Sequence, residues 1–210
     1  MTTAAWILLA VAGGFAVGNW VAVAVGSKPA EYVCKPATLA LLIAVALTLD
    51  PVHGDMRTWF VVALALSLLG DVFLMLPVDL FVFGLGAFLL GHVAYTVGLN
   101  LHTEGNWLLA IPIPIVAAFL AIRLVRGIRA SGEDALVGPV LAYVVVIGAM
   151  VVSAVASGNA LAAVGALLFM ASDALIGETR FVRPRPWAGA AIMVTYHLGQ
   201  AGLVLSLVTS

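Results

Sequence analysis

The sequence predicts an all-α fold, a polytopic membrane helix bundle of about eight transmembrane helices, and three observations carry that prediction. Hydrophobic residues make up 64% of the 210-residue chain and charged residues only 9%, whereas a soluble domain carries roughly 25% charged residues. So little polar surface cannot cover a water-facing globule, and the mean hydropathy of +1.19 agrees. Charges and turn residues cut the chain into apolar segments of about the 20 residues that one crossing of the hydrocarbon core requires. Nothing alternates as barrel strands do, and lipid offers no partner to free backbone groups, so the segments are read as helices. The length leaves room for these spans and short loops, hence one transmembrane domain over residues 1–210.

Taken in order, the first helix is expected over Ala4–Val25. Its leading stretch MTTAAWILLAVAGG lacks a basic region, so it reads as a retained span and not a cleaved leader. The second is expected over Pro36–Leu49, short, and opened by Lys35-Pro36 because proline suits the first helical turn. The remaining spans are expected over Thr58–Leu76, Leu80–Asn100, Trp107–Val125, Ala135–Ser157, Ala160–Gly177 and Trp187–Val208. Trp59, Trp107 and Trp187 stand at helix starts, where indoles anchor at the membrane interface.

Charge sets the expected orientation. Lys28, Lys35, Arg123, Arg126, Arg129, Arg180, Arg183 and Arg185 fall after the odd-numbered helices and only Arg57 on the other side. Positive residues stay in the cytoplasm, which places both termini outside, with a bacterial inner membrane as the expected location. The net charge of −1 gives no reason to expect a nucleic-acid partner, and a single cysteine, Cys34, excludes an internal disulfide. The expected partners are therefore membrane lipids, and nothing in the sequence specifies an oligomer.

A faint internal repeat is visible. LALSLLGDVFLM carries Asp71 near the end of the third segment and GALLFMASDALIG carries Asp173 near the end of the seventh, 102 positions later. Tyr95 follows Asp71 by 24 residues and Tyr196 follows Asp173 by 23. Two four-helix parallel repeats, residues 1–104 and 105–210, would account for this. Chance similarity between apolar helices accounts for it equally well.

Most acidic residues, Glu31, Asp50, Asp55, Asp79, Glu104, Glu133, Asp134 and Glu178, sit in loops or at helix ends where water solvates them. Asp71 and Asp173 lie inside apolar segments, where a central carboxylate costs about 2.5–3.5 kcal/mol and marks function. With both helices running the same way, the two carboxyls fall at similar depth. Facing each other across a pseudo-twofold axis, they would share a proton and supply one general acid and one general base.

Other polar residues qualify as lining. His92 and Tyr95 share a face of the fourth helix, and Tyr196 and Gln200 share a face of the eighth, with His197 turned about 100° away. Interhelical hydrogen bonding for packing alone is the competing reading. Asp71, Asp173, His92 and His197 suffice in number for zinc, yet no ligand-like spacing supports a metal, so no metal and no cofactor are expected. Arg180, Arg183 and Arg185 in RFVRPRPW would suit a lipid phosphate or simply obey the charge rule. No G-x-S-x-G elbow is present to support a serine lipase. From these residues alone, an acid–base hydrolase, a proton-coupled small-molecule or lipid transporter using the same aspartates, a metal-dependent lipid hydrolase and a lipid-binding protein all stay open.

The stretches GDVFLMLP, FVFGLGAFLLGHVAYTVGL, GALLFMASDALIGETRF and TYHLGQAGL resemble the YhhN/TMEM86 family of membrane proteins. The resemblance runs from about Lys35-Pro36 to the C-terminus. It rests on the ordered set Gly70-Asp71, His92, Tyr95, Ser172-Asp173, Arg180-Phe181, Tyr196 and Gln200. It implies an eight-helix fold and an enzyme that hydrolyses the vinyl ether bond of lysoplasmalogens. The lysophospholipid substrate would yield a fatty aldehyde and glycerophospho-ethanolamine or -choline, with Asp71 and Asp173 as the implied catalytic pair.

Overall fold

The computed structural model describes residues 1–102 and 104–209, and among them every regular element is helical. The spans are α1 (Thr3–Val25), α2 (Lys28–Thr48), α3 (Gly54–Met75), α4 (Phe81–Asn100), α5 (Pro112–Ser131), α6 (Val137–Ala156), α7 (Ala160–Gly177) and α8 (Ala188–Ser206). Short 3-10 turns lead into α5 and α6, and a π-helical turn, Glu178–Val182, extends α7. Counting those extensions, eight helices are long and apolar enough to cross a membrane. Local chemistry sets the first boundaries: the Thr2 hydroxyl accepts from the Ala5 N–H, and Gly26 ends α1 in the left-handed conformation at φ 75°.

The largest departure from the sequence reading is the second helix. It starts at Lys28, with Pro29 in its first turn, and runs through Pro36 to Thr48. Proline at position 36 removes one backbone donor but leaves the helix continuous, so Lys35 lies two turns inside a span and not in a loop. Removing Lys35 from the charge tally leaves seven basic residues against Arg57. The fifth helix also reaches further than expected, so Arg123, Arg126 and Arg129 stand on its last turns.

Consecutive helices pack as hairpins, α1 with α2, α3 with α4 and α7 with α8, while α8 also meets α1, α2 and α3, and α4 meets α6. The most buried helices are α4 and α8. The peripheral α5 buries only Ile113, Leu124 and Ile128 and exposes Ile115 and Phe119. Such a face is stable in lipid and costly in water.

Glycine lets backbones meet where the site is built. A Cβ on Gly199 would stand 2.8 Å from the Gly165 carbonyl oxygen, and one on Gly91 would stand 3.2 Å from that of Ala63. Small residues at membrane helix crossings allow this approach. It brings the polar faces of α4 and α8 into the interior.

Candidate functional site

Two acid-centred networks occupy the interior. Asp71 sits one turn from the end of α3 and is 1% exposed. Its Oδ1 lies 3.1 Å from Lys35 Nζ, and its Oδ2 accepts from the Tyr196 hydroxyl at 2.8 Å. Asp173 sits one turn from the end of α7. Its Oδ2 accepts from the Tyr143 hydroxyl at 2.5 Å and lies 3.1 Å from His92 Nε2, which is itself 2.9 Å from the Tyr143 oxygen. Carrying its hydrogen on Nε2, His92 would donate into this triangle and leave Nδ1 as an acceptor.

Each aspartate takes one partner from its own half of the chain and one from the other. Asp71 uses Lys35 and then Tyr196; Asp173 uses Tyr143 and then His92. Among the described residues no hydrogen bond joins the two carboxyls. The Phe169 ring packs edge-on between the networks, its centroid 4.7 Å from that of His92 and 5.2 Å from that of Tyr196. Each acid thus has its own polar partners, and the two networks adjoin through Phe169.

The other residues singled out in the sequence divide. Tyr95 donates to Gln200 Oε1 at 2.5 Å, both fully buried beside the Asp71 network. Among the described residues, Gln200 Nε2, Ser67 Oγ and His92 Nδ1 are buried with no hydrogen-bond partner. Ser172 points elsewhere: its hydroxyl donates to the Ile192 carbonyl and ties α7 to α8. His197 accepts from the Trp20 indole at 3.0 Å through Nδ1, tying α8 to α1. Among the described residues no three His, Cys, Asp or Glu side chains converge, so the four residues counted as zinc donors do not form a set. Arg180 lies in the π-helical turn that extends α7, paired with Asp79. Glu178, expected to be solvated, is partly buried and held by Arg123 through two bonds of 2.6 and 2.7 Å and by Arg185 at 3.3 Å.

Lys35 and Tyr143 escaped the sequence reading. Both left a signal. The stretch KPAEYVCKP contains two Lys-Pro pairs, and starting the helix at the first puts Lys35 inside it. A tyrosine in the middle of LAYVVVIGAM needs a partner for its hydroxyl wherever the ring is buried.

A narrow apolar cleft, with a cavity of about 50 Å³, runs between α3, α4, α5, α6 and α7. Leu74, Phe81, Phe88, Ile147 and Phe181 are among its walls, and its polar side chains are Asp173 and Tyr143. Asp71, Lys35 and Tyr196 do not line it, although Phe88 does and packs against Tyr196 at 5.8 Å.

Fold and site together define an integral membrane protein with an intramembrane acid site at the wall of an apolar cleft. The chain belongs to the YhhN family, which it matches over residues 30–207, a range that holds every residue of both networks. It is 32% identical to the Mycobacterium tuberculosis protein named lysoplasmalogenase, with 82% of this chain and 75% of that one covered. The Mycobacterium bovis lysoplasmalogenase matches to the same extent. The human protein named lysoplasmalogenase TMEM86B is 33% identical over 70% of this chain and 62% of its own length. No solved structure matches the chain.

Proposed function

We propose that the protein is a membrane-embedded hydrolase that cleaves the vinyl ether bond of lysoplasmalogens, releasing a fatty aldehyde and glycerophospho-ethanolamine or -choline. The activity named for the bacterial and human relatives supports this reading. The observation that carries the mechanism is an ionisable carboxyl, Asp173, at the wall of an otherwise apolar cleft. The relatives favour this over the transporter reading of the same aspartates.

The chemistry needs a proton and a water. Asp173, in its protonated form, gives its proton to the β-carbon of the vinyl ether, and the double bond's electron pair forms the new C–H bond. The α-carbon becomes an oxocarbenium ion, which the resulting carboxylate stabilises. Water adds at that carbon and loses a proton to a carboxylate. The hemiacetal then collapses: the Asp173 carboxylate takes its hydroxyl hydrogen, the C–O bond to glycerol breaks, and the glycerol oxygen takes up the proton that the water released, giving aldehyde and alcohol and restoring both aspartates. His92 and Tyr143 hold Asp173 in place. The reacting bond rests against Phe88, which packs on Tyr196, and the water's proton reaches Asp71 through the Tyr196 hydroxyl that is hydrogen-bonded to Asp71 Oδ2, with Lys35 holding Oδ1. Gln200 Nε2 and Ser67 Oγ are free to orient that water.

The exchange of partners between halves supports a duplicated four-helix unit. The charge distribution supports cytoplasmic placement of the Arg180 face in a bacterial inner membrane.

The test is aldehyde release from lysoplasmenylethanolamine by the purified protein in detergent. Asp173→Asn and Asp71→Asn should each abolish release with helical content and monodispersity unchanged. Full activity in both variants rejects the acid–base mechanism, and no aldehyde from the wild type rejects the hydrolase.

A further inference from the structure

The apolar cleft opens beside a charged group that the reaction does not use. Phe81 and Phe181 line the cleft, and the Arg180 guanidinium lies over both rings, 5.1 and 6.0 Å from their centroids. Leu74 and Phe81 line the cleft and also a surface groove that holds Asp79 and Arg180. Arg180 Nη2 stands 3.2 Å from Asp79 Oδ2 and 3.8 Å from Glu133 Oε2. The three side chains are 38%, 66% and 40% exposed. The exposed Arg180–Asp79 pair contributes little, about 0–1 kcal/mol, so a ligand's charges can exchange into it, while Glu133 Oε2 is buried with no hydrogen-bond partner among the described residues.

We propose that Arg180, Asp79 and Glu133 form a headgroup site selective for zwitterionic lysolipids, with Arg180 binding the phosphate and the two carboxylates the amine. Resting on the hydrolase reading, this deepens it by assigning substrate selectivity. Within the triplet, one cation stands beside two anions. A headgroup carrying only negative charge is repelled there, whereas phosphate and ammonium together match both signs. The aromatic rings add a surface for the amine's substituents.

Depth agrees with this assignment. Asp173 and Arg180 are seven residues apart on continuous helix, a rise of roughly 10 Å. In the substrate, five bonds separate phosphorus from the vinyl ether oxygen, roughly 6 Å in standard covalent geometry, and guanidinium–phosphate contact adds the remainder. A headgroup at the mouth therefore sets the vinyl ether beside Asp173 and directs the hydrocarbon chain toward Phe88 and Ile147.

The test is binding of saturated alkyl ether analogues, which needs no turnover, followed by tryptophan fluorescence of the full chain in detergent. Three probes differ only in headgroup: alkyl-glycerophosphoethanolamine, alkyl-glycerophosphate and alkylglycerol. The wild type should bind the ethanolamine lipid tightest. R180Q should weaken both phosphate-bearing probes about ten- to a hundred-fold and leave alkylglycerol unchanged. The double variant D79N/E133Q should weaken the ethanolamine lipid and strengthen alkyl-glycerophosphate, reversing the order, while Arg183→Gln leaves the order of the three probes as in the wild type. Equal effects of R180Q on all three probes, or an unchanged order in D79N/E133Q, would overturn the assignment. Because nothing is hydrolysed, these outcomes are read separately from the aldehyde assay.

Discussion

Replacing Lys35 with methionine keeps most of the aliphatic stem and deletes the ammonium. The Lys35 and Asp71 side chains are 7% and 2% exposed and 3.1 Å apart, so the pair belongs to the buried class and not to weak surface pairs. Removing one partner of such a pair costs about 3–5 kcal/mol, because a buried charge is left uncompensated. Here the Tyr196 hydroxyl would remain as the partner of Asp71. At about 2–4 °C per kcal/mol for a chain of this size, K35M should melt roughly 6–20 °C lower. The assay is thermal loss of helical circular dichroism in detergent. A second variant makes it decisive: K35M/D71N replaces both charges with neutral groups and should recover most of the melting temperature while still releasing no aldehyde. A wild-type melting temperature for K35M, or a double variant no more stable than K35M, refutes the claim that the two charges hold each other inside the bundle.

Three further outcomes follow from particular contacts. Tyr143→Phe deletes the 2.5 Å bond to Asp173; a hydrogen bond to the neutral acid is worth about 0.5–1.5 kcal/mol, so kcat for aldehyde release should fall about two- to ten-fold with little change in KM. Gly199→Leu forces a side chain toward the Gly165 carbonyl, 2.8 Å from the first added carbon, and should abolish the monodisperse peak on size-exclusion chromatography, whereas Gly13→Leu, with open space around its Cβ, should not. At the mouth, the Phe81 backbone N–H, and after it the Arg180 charge, hold the Asp79 carboxyl below its ordinary 3.8. Its pairing is therefore complete above pH 3.8 and is lost only as pH falls through the lowered value. Binding of the ethanolamine probe should accordingly stay flat from pH 7 to pH 5, and a fall within that window would exclude Asp79 as the titrating group.

Composition and segment length were enough to establish an eight-helix membrane bundle, since a chain this poor in charge has no stable water-facing fold. The same reasoning picked out Asp71 and Asp173, because a carboxyl inside an apolar run is costly wherever it ends up. Helical spacing put Tyr196 and Gln200 on one face and His92 and Tyr95 on another; in the structure His92 meets Asp173, whereas Tyr95 meets Gln200 beside the Tyr196–Asp71 pair. Partnership was not legible. Lys35 read as a loop cation because the proline beside it resembled a helix start, and only the continuous α2 shows the lysine buried against Asp71. Tyr143 is one apolar ring among many in sequence, and it becomes a site residue only when α6 meets α4 and α7. Whether two carboxyls point at each other depends on the rotation of each helix about its axis. Glycine contacts between distant segments fix that rotation, and the structure spends it on two separate networks with Phe169 between them. Sequence sets the cost of each buried charge, and tertiary packing chooses the group that compensates it.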